Sequence, residues 1–381
     1  MKCTILHIIS TLSTGGAEMM LYKLLSCMNR TDFEARVISL TDIGAVGKKI
    51  QTLGVPVRAL SMQRGIPNPL ALIKLANWLR HDRPHIIQTW MYHADLIGGL
   101  AAKLVGSIPV VWGIRQSNLS LDGNKRSTIW TAKVNARLSS RLPVMIVCGS
   151  EASRRVHTEL GYASANMAVI HNGVDTKLFK PDISARMAVR KELGIPEDAN
   201  VIGLVGRFDP QKDHHNFIQA AALLHVSMPD VHFLLCGKGI TWENKQLAAW
   251  IETSRIPADR FHLLGLRDDI PQLIPAVDIL SSSSYGEGFP NVIIEAMACA
   301  VPCVVTDVGD SAMIVEETGK VVSPKNSAAL ADGWKTLIEA GNETRHRLGQ
   351  AARQRVIENF SLERITVQYE QLYHDLLRGK R

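Results

Sequence analysis

Two cations and two carboxylates in the second half of the chain have the types and spacing needed to hold phosphates and hydroxyl groups. Arg207 and Lys212 lie in a loop directly after an apolar run, Val201–Val205, that predicts a strand. Arg presents a planar fork of donors and Lys a point charge, so together they suit two adjoining phosphates. Glu287 and Glu295 are separated by seven residues. Ionised carboxylates only accept hydrogen bonds, so these two suit hydroxyl groups.

The residues between the two glutamates predict the start of a helix, where backbone N–H groups have no partner within the helix. They are Phe289, Pro290, Asn291 and Val292. The positive end of the helix dipole lies here and attracts anions. The alternatives are structural: Arg207 and Lys212 are solvated surface cations, and Glu295 is a partly buried helix residue bonded to a backbone amide.

A pair of glycines marks a similar place in the first half. Gly15 and Gly16 lie between the first predicted strand and the first predicted helix. They let the backbone approach a ligand closely, and the helix start that follows offers N–H groups to an anion. A tight strand-to-helix turn without a ligand explains the pair equally well. The Gly-x-Gly-x-x-Gly pattern of dinucleotide-dependent dehydrogenases is absent from this turn.

Strands and helices alternate along the chain, a pattern typical of parallel sheets wrapped by helices. The predicted strands are 4–9, 35–40, 55–60, 85–88, 109–112, 144–148, 167–170, 201–205, 232–236, 261–264, 277–281 and 302–306. The predicted helices are 17–29, 71–81, 94–105, 150–160, 216–226, 244–254, 292–299, 328–357 and 361–377. The polar stretch 177–200, with one short helix, is the predicted linker between two α/β domains.

Composition excludes several classes of protein. A hydrophobic content of 46% with 21% charged residues excludes a disordered chain, and no run approaches the roughly 18 apolar residues of a membrane-spanning helix. The run Cys3–Ile9 contains His7 and leads into the glycine turn, so we expect a buried strand and no signal peptide. The six cysteines show no C-x-x-C spacing, which favours core residues of a reduced, cytoplasmic protein.

Charge is divided unevenly. Residues 1–175 contain 20 Lys and Arg against 10 Asp and Glu, a formal charge of +10, and the remainder carries −3. A basic half attracts polyanions such as nucleic acid, anionic lipid or phosphorylated substrates. No basic run is interleaved with aromatic residues, as a nucleic-acid surface would be. Lipid or pyrophosphate is therefore the favoured partner, and no nucleic acid is expected.

The motifs follow one another as in a known enzyme family. In order they are the Gly-Gly-Ala-Glu turn, a His-Asn-Gly-Val-Asp turn ending at Asp175, the Gly-Arg-x-x-x-x-Lys loop, and the two glutamates within Glu-Gly-Phe-Pro-Asn and Glu-Ala-Met-Ala. The chain resembles the retaining glycosyltransferases of family 4 over nearly its whole length. The resemblance implies the α/β GT-B fold, with two Rossmann-like domains facing a cleft. It places an acceptor-binding domain at 1–173, joined by the C-terminal helix 361–381, and a donor-binding domain at 174–360.

The resemblance also implies which residues bind a nucleotide-diphosphate sugar. Arg207 and Lys212 bind the diphosphate, Glu295 the ribose hydroxyls and Glu287 the transferred sugar. The helix start at 289–292 completes this part of the donor site.

Two further segments complete the implied donor site. Gly15 and Gly16 lie close to the phosphates. Gly265 and Leu266 resemble the loop of the family that contacts the base, and UDP is favoured over GDP as the nucleotide. The implied catalytic residues are then His93, Arg207, Lys212 and Glu287.

The first half departs from the family pattern after two strands. Where many relatives carry a histidine pair after the fourth strand, the chain keeps His93 and has Trp90 in the other place. A histidine that often follows the fifth strand is replaced within Trp112-Gly113-Ile114-Arg115. His93 is therefore the candidate for contact with the donor sugar, and Arg115 for the donor phosphate or an acidic acceptor. The alternatives are a helix-start histidine bonded to backbone and an arginine in a salt bridge.

The leaving diphosphate gains negative charge as the glycosidic bond breaks, and cations or N–H dipoles can stabilise it. The chain has no Asp-x-Asp arrangement, so we expect no metal and no cofactor. The family implies retention of the anomeric configuration. Two other functions remain open: a nucleotide-sugar epimerase or hydrolase of the same fold, and a non-catalytic protein that binds sugar nucleotides.

The acceptor is the least determined part. The stretch 125–141 places Ile129, Trp130, Lys133, Arg137 and Arg141 on a predicted amphipathic helix. Such a helix could lie on an anionic membrane, or it could be an ordinary helix that packs Ile129 and Val134 inward. The basic first half and the family fit lipid-linked or cell-surface saccharide acceptors in bacterial polysaccharide synthesis. We therefore expect a cytoplasmic enzyme with a peripheral contact to the membrane.

Overall fold

The protein is described by a computed structural model that covers residues 2–63, 68–106, 108–119 and 125–379. It divides into two compact units. Unit 1 comprises Met1–Gly173 and Leu362–Arg381, and unit 2 comprises Val174–Ser361. Each unit is an α/β structure around one parallel sheet, which confirms the fold class predicted from the sequence.

Unit 1 is built on a parallel sheet of seven strands in the described residues. The strands are β1 (Cys3–Ile9), β2 (Phe33–Ser39), β3 (Val57–Ala59), β4 (Ile86–Trp90), β5 (Val110–Ile114), β6 (Met145–Cys148) and β7 (Met167–Val169). Their order across the sheet is β3-β2-β1-β4-β5-β6-β7. The helices between them are α1 (Gly16–Cys27), α2 (Gly44–Thr52), α3 (Pro69–Asp82), α4 (Tyr92–Val105), α5 (Arg126–Leu138) and α6 (Glu151–Glu159).

Helices cover both faces of this sheet. The helices α1 and α2 pack on one face, and α3, α4 and α5 pack on the other. All residues of β4 and β5 are buried, as expected for parallel strands covered on both sides. The start of α3 follows the usual chemistry: Asn68 caps it by accepting from two backbone amides, and Pro69 occupies its first turn.

Unit 2 repeats the architecture with a six-stranded parallel sheet in the described residues. The strands are β8 (Val201–Val205), β9 (His232–Cys236), β10 (Phe261–Leu263), β11 (Ile279–Ser282), β12 (Cys303–Thr306) and β13 (Lys320–Val322). Their order is β10-β9-β8-β11-β12-β13. The helices are α7 (Ile183–Leu193), α8 (His214–His225), α9 (Lys245–Ser254), α10 (Ile270–Leu273), α11 (Asn291–Ala298), α12 (Ser311–Val315), α13 (Ser327–Glu339) and α14 (Gly341–Asn359).

A buried ion pair ties the linker helix of unit 2 to the sheet. The helices α8, α9 and α13 pack on one face of the sheet, and α7, α11 and α14 on the other. Arg190 of α7 is 2% exposed, and its Nη2 lies 2.7 Å from Oδ2 of Asp278. The same carboxylate oxygen accepts from the Val201 amide at 2.7 Å. Asp278 therefore joins α7 to the first residue of β8 just before β11 begins.

The last helix, α15 (Leu362–Leu377), belongs to unit 1. Ile365, Tyr369 and Tyr373 are buried in the core that α1 and α2 share with the sheet. A Cβ atom on Gly173 would lie 2.9 Å from the Leu362 Cα, so the outgoing and returning segments approach too closely for any other residue. The C-terminal helix crosses back to the N-terminal unit, as the resemblance implied.

The secondary-structure predictions differ from the structure in several places, of which three bear on the fold. The helix predicted over 328–357 is two helices, α13 and α14, because the chain turns at Gly341, whose φ of +81° favours glycine. Strand β13 was not predicted, since its residues Lys320 and Val321 are exposed and leave no apolar run. The basic helix predicted over 125–141 is α5, which ends at Leu138 and leaves Arg141 beyond it.

The buried face of α5 also differs from the prediction. Thr131, Ala132, Asn135 and Ala136 face the core, whereas Ile129 and Val134 are only half-buried. Asn135 donates to the Tyr92 carbonyl oxygen at 2.9 Å, and this hydrogen bond brings α5 close to the start of α4. Small or polar side chains fit this close approach.

Candidate functional site

Strand order directs the predicted site residues of unit 2 to one place. The sheet grows in opposite directions from the adjacent strands β8 and β11, and ligands of open α/β sheets bind at such a switch point, beyond the carboxyl ends of the strands. The loop after β8 carries Arg207 and Lys212, and the loop after β11 carries Glu287. The same reversal occurs in unit 1 between β1 and β4, which are followed by Gly15 and by His93.

The loop after β8 is a single tight turn whose carboxylate orients Arg207. Asp209 accepts from the Gln211 amide at 3.0 Å through one oxygen and from Arg207 Nε at 2.9 Å through the other. Partial burial raises the pKa of Asp209, but these hydrogen bonds outweigh it and leave the pKa below its usual value. The Arg207 side chain is 67% exposed, so its position depends on Asp209, a residue that sequence analysis missed.

Lys212 and Glu287 form an ion pair. The Lys212 Nζ lies 2.5 Å from Glu287 Oε1, and Ser284 Oγ donates to the same oxygen at 2.7 Å. The side chains are only 23% and 13% exposed. The structure therefore brings together the predicted diphosphate cation and the predicted sugar-binding carboxylate, which are 75 residues apart in the chain. Nothing in the sequence predicts that they touch.

His214, a second residue that the sequence did not point to, packs against the loop after β8. It is 2% exposed and follows the Lys212-Asp213 end of the loop at the start of α8. Its ring centre lies 5.2 Å from that of Phe208. Burial, with the nearby Lys212 cation, lowers the pKa of His214 to about 4. The imidazole is therefore neutral at physiological pH and adds no charge beneath the lysine.

The Glu287 loop rests on a glycine of the next crossover. Gly309 has a φ of +60°, and a Cβ there would lie 2.6 Å from the carbonyl oxygens of Glu287 and Gly288. The Asp310 amide donates to the Gly288 oxygen at 2.9 Å. Only glycine permits this approach, so the loop after β12 fixes the backbone that carries Glu287.

Helix α11 begins where the sequence predicted an anion-binding helix start. Its N-cap residue is Pro290, which has no side-chain acceptor, and Asn291 is its first residue. Phe289 packs on Phe360 with ring centres 5.6 Å apart. Glu295 lies one turn into the helix and is half-buried, which fits either the predicted ribose contact or a structural role.

The Gly265 loop is held by backbone and charge. Gly265 has a φ of +63°, donates to the Ile240 oxygen and accepts from the Gly237 amide, both at 2.8 Å. Leu266 is 75% exposed. The next residue, Arg267, pairs with Asp269 at 2.6 Å and with Glu192 at 2.7 Å. These hydrogen bonds raise its pKa and fix the loop that presents Leu266.

The glycine turn of unit 1 places a carboxylate beside its own backbone. Gly15 is the extended N-cap of α1, which begins at Gly16. A Cβ on Gly15 would lie 2.4 Å from an oxygen of Glu18, whose side chain is buried. Gly16 has open space at the same position. An acidic group therefore adjoins the turn that was predicted to lie close to phosphates. Of the two glycines, Gly15 has this neighbour and Gly16 does not.

His93 lies at the start of α4, next to a strained residue. Its Nε2 is 3.5 Å from Thr131 Oγ1 of α5, and burial lowers its pKa. The preceding N-cap, Met91, has φ and ψ of 72° and 156°, a conformation that costs about 1 to 3 kcal/mol for a residue with a side chain. The Met91 amide donates to the Gly113 oxygen of β5. This bond fixes the start of α4 and therefore the position of the His93 backbone.

Arg115 is held among aromatic and amide groups of unit 1. Its guanidinium lies 4.6 Å from the centre of the Trp90 ring. It also donates to Asn172 Oδ1 at 3.2 Å and to the hydroxyl of Tyr369 on α15. Trp90, which stands in the place of one histidine of the family pair, thus stacks on this arginine. These partners do not include the carboxylate that a salt bridge would require. Binding of the donor phosphate or an acidic acceptor by Arg115 stays a prediction.

The described residues contain neither a membrane-spanning helix nor a cluster of metal-ligating side chains. None of the helices there is both long and apolar enough to cross a membrane. No group of three or more His, Cys, Asp or Glu side chains in the same residues is placed to hold a metal ion.

Two family models match successive parts of the chain. Residues 14–178 match the model described as Glycosyltransferase Family 4, and residues 186–355 match the one described as Glycosyl transferases group 1. The second match contains Arg207, Lys212 and both glutamates.

Curated proteins similar to the chain include named glycosyltransferases. The UDP-Gal:alpha-D-GlcNAc-diphosphoundecaprenol alpha-1,3-galactosyltransferase of Escherichia coli is 25% identical over 81% of this chain and 80% of its own. The N-acetyl-alpha-D-glucosaminyl L-malate synthase of Bacillus anthracis is 31% identical over 58% of this chain and 56% of its own.

A solved structure matches over nearly the whole chain. Anabaena Alr3699/HepE in complex with UDP is 26% identical and superimposes with a TM-score of 0.86, covering 98% of this chain and 100% of that one. The same protein was solved with UDP-glucose. The chain therefore belongs to glycosyltransferase family 4 and is a transferase with the GT-B fold.

We expect Arg207→Ala and Lys212→Ala to lose transfer activity severely without loss of the fold. Both residues lie on a loop, and a charge-assisted contact to a leaving group contributes about 2 to 4 kcal/mol to the transition state. The measurement is kcat/KM with a thermal unfolding profile. Arg154→Ala is the matched control, because Arg154 also forms a short-range surface ion pair, at 2.7 Å from Glu151. Near-full turnover of both loop variants at saturating donor contradicts the assignment.

Proposed function

We propose that this family 4 glycosyltransferase transfers a hexosyl or N-acetylhexosaminyl unit from a UDP-sugar to a lipid-linked or cell-surface saccharide, with retention and without a metal. The observation that carries the proposal is the pairing of Lys212 with Glu287 at the β8–β11 switch point. One group has the charge for a diphosphate and the other the acceptors for sugar hydroxyls. The complexes of HepE with UDP and UDP-glucose support a UDP-sugar as donor.

In the proposed mechanism, charge on the leaving diphosphate is stabilised by fixed groups. Arg207 is oriented by Asp209, Lys212 is held at 2.5 Å from Glu287, and the start of α11 contributes backbone N–H groups. Preorganised donors of this kind stabilise developing charge without reorganisation during the reaction. The chain has no Asp-x-Asp sequence, which supports a reaction that needs no divalent ion at the phosphates.

The surroundings of Glu287 favour a binding role over a nucleophilic one. A double-displacement route requires a carboxylate at the far face of the sugar, and Glu287 is the candidate. Its Oε1 accepts from both Lys212 and Ser284, and an oxygen engaged by two donors is a poorer nucleophile. We therefore assign Glu287 to the hydroxyls of the transferred sugar and favour attack by the acceptor on the same face as departure.

The acceptor proposal rests on charge and on the relatives. The Escherichia coli relative is named for a diphosphoundecaprenol-linked acceptor, and the basic first half of this chain suits phosphorylated lipids. We place the enzyme at the cytoplasmic face of the membrane, held by unit 1. The six cysteines are unpaired in the described residues, as expected in a reducing compartment.

Incubation with labelled UDP- and GDP-sugars, with and without a lipid-linked saccharide, tests the proposal. Label transferred to the acceptor supports it. Epimerised or hydrolysed donor without transfer indicates a nucleotide-sugar epimerase or hydrolase, and binding without turnover indicates a sugar-nucleotide-binding protein. Either of these results overturns the proposal.

Turnover should persist in excess EDTA, because Arg207, Lys212 and the start of α11 supply the positive charge that a metal would otherwise bring. The measurement is the initial rate before and after chelation. Complete loss in EDTA with recovery in manganese would disprove the metal-independent mechanism.

The two glutamates should separate kinetically. Ribose hydroxyls are bound equally in the ground and transition states, so Glu295→Gln should raise the donor KM more than it lowers kcat. Glu287→Gln, next to the reacting sugar, should lower kcat more than it raises KM. Initial rates over a range of donor concentrations measure both constants. Interchangeable kinetics of the two variants would refute the division of roles.

Unit 1 should bind anionic vesicles through the adjacent helices α3, α4 and α5. They carry four exposed apolar side chains, namely Leu70, Ile73, Leu104 and Trp130. Basic residues on α5 add about 1 kcal/mol each near an anionic surface. Co-sedimentation should therefore require anionic lipid and weaken as salt rises.

The double variant Lys133→Glu/Arg137→Glu should lose this vesicle binding. Lys245→Glu/Lys320→Glu carries the same change of charge on exposed residues of unit 2 and should bind as the parent protein does. Equal binding to neutral and anionic vesicles would contradict a charge-driven contact and leave the basic face for the phosphates of the acceptor.

A further inference from the structure

Glu287 forms an ion pair with Lys212, the cation that the proposed function assigns to the diphosphate. In the structure, Lys212 Nζ lies 2.5 Å from Glu287 Oε1, and both side chains are largely buried. Salt screens such a pair much less than an exposed one. A phosphate placed on Lys212 therefore comes within a few ångströms of a second, fixed negative charge.

The carboxylate cannot readily swing away, because hydroxyl groups at the end of β11 hold both loops. Ser283 Oγ donates to the Lys212 carbonyl oxygen at 2.7 Å, and Ser284 Oγ donates to Glu287 Oε1 at 2.7 Å. The Ser284 carbonyl oxygen in turn accepts from Thr306 Oγ1 of β12 at 2.6 Å. Glu287 consequently stays beside Lys212 when a ligand arrives.

An intact nucleotide sugar and its diphosphate product meet this carboxylate differently. The sugar of the donor brings hydroxyl groups that can donate hydrogen bonds to Glu287. These bonds offset the repulsion between the carboxylate and the phosphate. When the bond from the anomeric carbon to the β-phosphate oxygen breaks, the electron pair remains on that oxygen. The product thus carries more negative charge on its terminal phosphate and has lost the hydroxyl donors.

We infer that Glu287 is a specificity-determining residue that weakens binding of the free nucleoside diphosphate relative to the intact nucleotide sugar, and so promotes release of the product. This inference rests on the proposed function, in which Lys212 binds the diphosphate. Its consequence is opposite in sign for the two ligands. Removing the charge of Glu287 leaves the largely buried Lys212 cation without its ion-pair partner, and a terminal phosphate then becomes its counter-ion.

A positioning role for Glu287 gives a different result. If the carboxylate only held Lys212 in place, its loss would weaken the product and the donor together. Titration calorimetry with UDP, UMP and UDP-glucose, in the absence of acceptor, separates the two roles. UMP is the control ligand, because it has no β-phosphate to meet Lys212.

For Glu287→Gln we expect UDP to bind about tenfold tighter than to the parent protein, UDP-glucose to bind more weakly, and UMP to be unchanged. Inhibition of transfer by UDP should strengthen by the same factor. Glu287→Asp is the matched control, since it keeps the charge and should keep the affinity for UDP near that of the parent. Glu287→Ala also removes the charge and replaces Glu287→Gln if thermal unfolding shows that the latter is not folded.

The outcomes distinguish this inference from the proposed function. Weaker or unchanged binding of UDP to Glu287→Gln and Glu287→Ala, while Lys212→Ala also weakens UDP, overturns the inference and leaves the diphosphate site standing. Unchanged binding of UDP to Lys212→Ala, or no binding of UDP and UDP-glucose to the parent protein, overturns the proposed function itself.

Discussion

The adjacency of β8 and β11 is the constraint on which the candidate site of unit 2 depends. Parallel strands end at one edge of the sheet, and the crossovers from these two leave in opposite directions. The loop that carries Arg207 and Lys212 then meets the loop that carries Glu287, although no local sequence signal predicts this contact. The surrounding devices serve this arrangement: Asp209 orients Arg207, Ser284 holds Glu287, and Gly309 allows a third loop to support the backbone of Glu287.

Much of the fold is predictable from the sequence, for reasons visible in individual strands. β8 and β9 are found residue for residue because both are almost wholly buried and, apart from His232, contain only apolar residues and glycine. Edge strand β13 is not found, since its exposed Lys320 and Val321 need no such run. The break between α13 and α14 depends on the positive φ of Gly341, which a helical hydrophobic pattern does not register.

The candidate site is less predictable, because its decisive features are contacts between distant residues. The motifs point to Lys212 and Glu287 separately, but their ion pair follows only from the strand order. The surroundings of Arg115 are equally hidden from the local sequence. Its contact with the donor phosphate or an acidic acceptor stays a prediction, and its neighbours in the structure are Trp90, Tyr369 and Asn172. Tyr369 lies more than 250 residues away, on a helix whose return to unit 1 the family pattern implies but local sequence does not reveal.

The placement of α15 has a consequence for how the chain matures on the ribosome. Unit 2 is one uninterrupted segment, so all its strands and helices are available once residue 361 has been synthesised. Unit 1 emerges first, yet Ile365, Tyr369 and Tyr373 complete its core only when the last helix leaves the exit tunnel. The nascent N-terminal half therefore exposes part of an apolar face throughout translation of unit 2. Vectorial synthesis thus reverses the expected order, and the half that is made first is finished last.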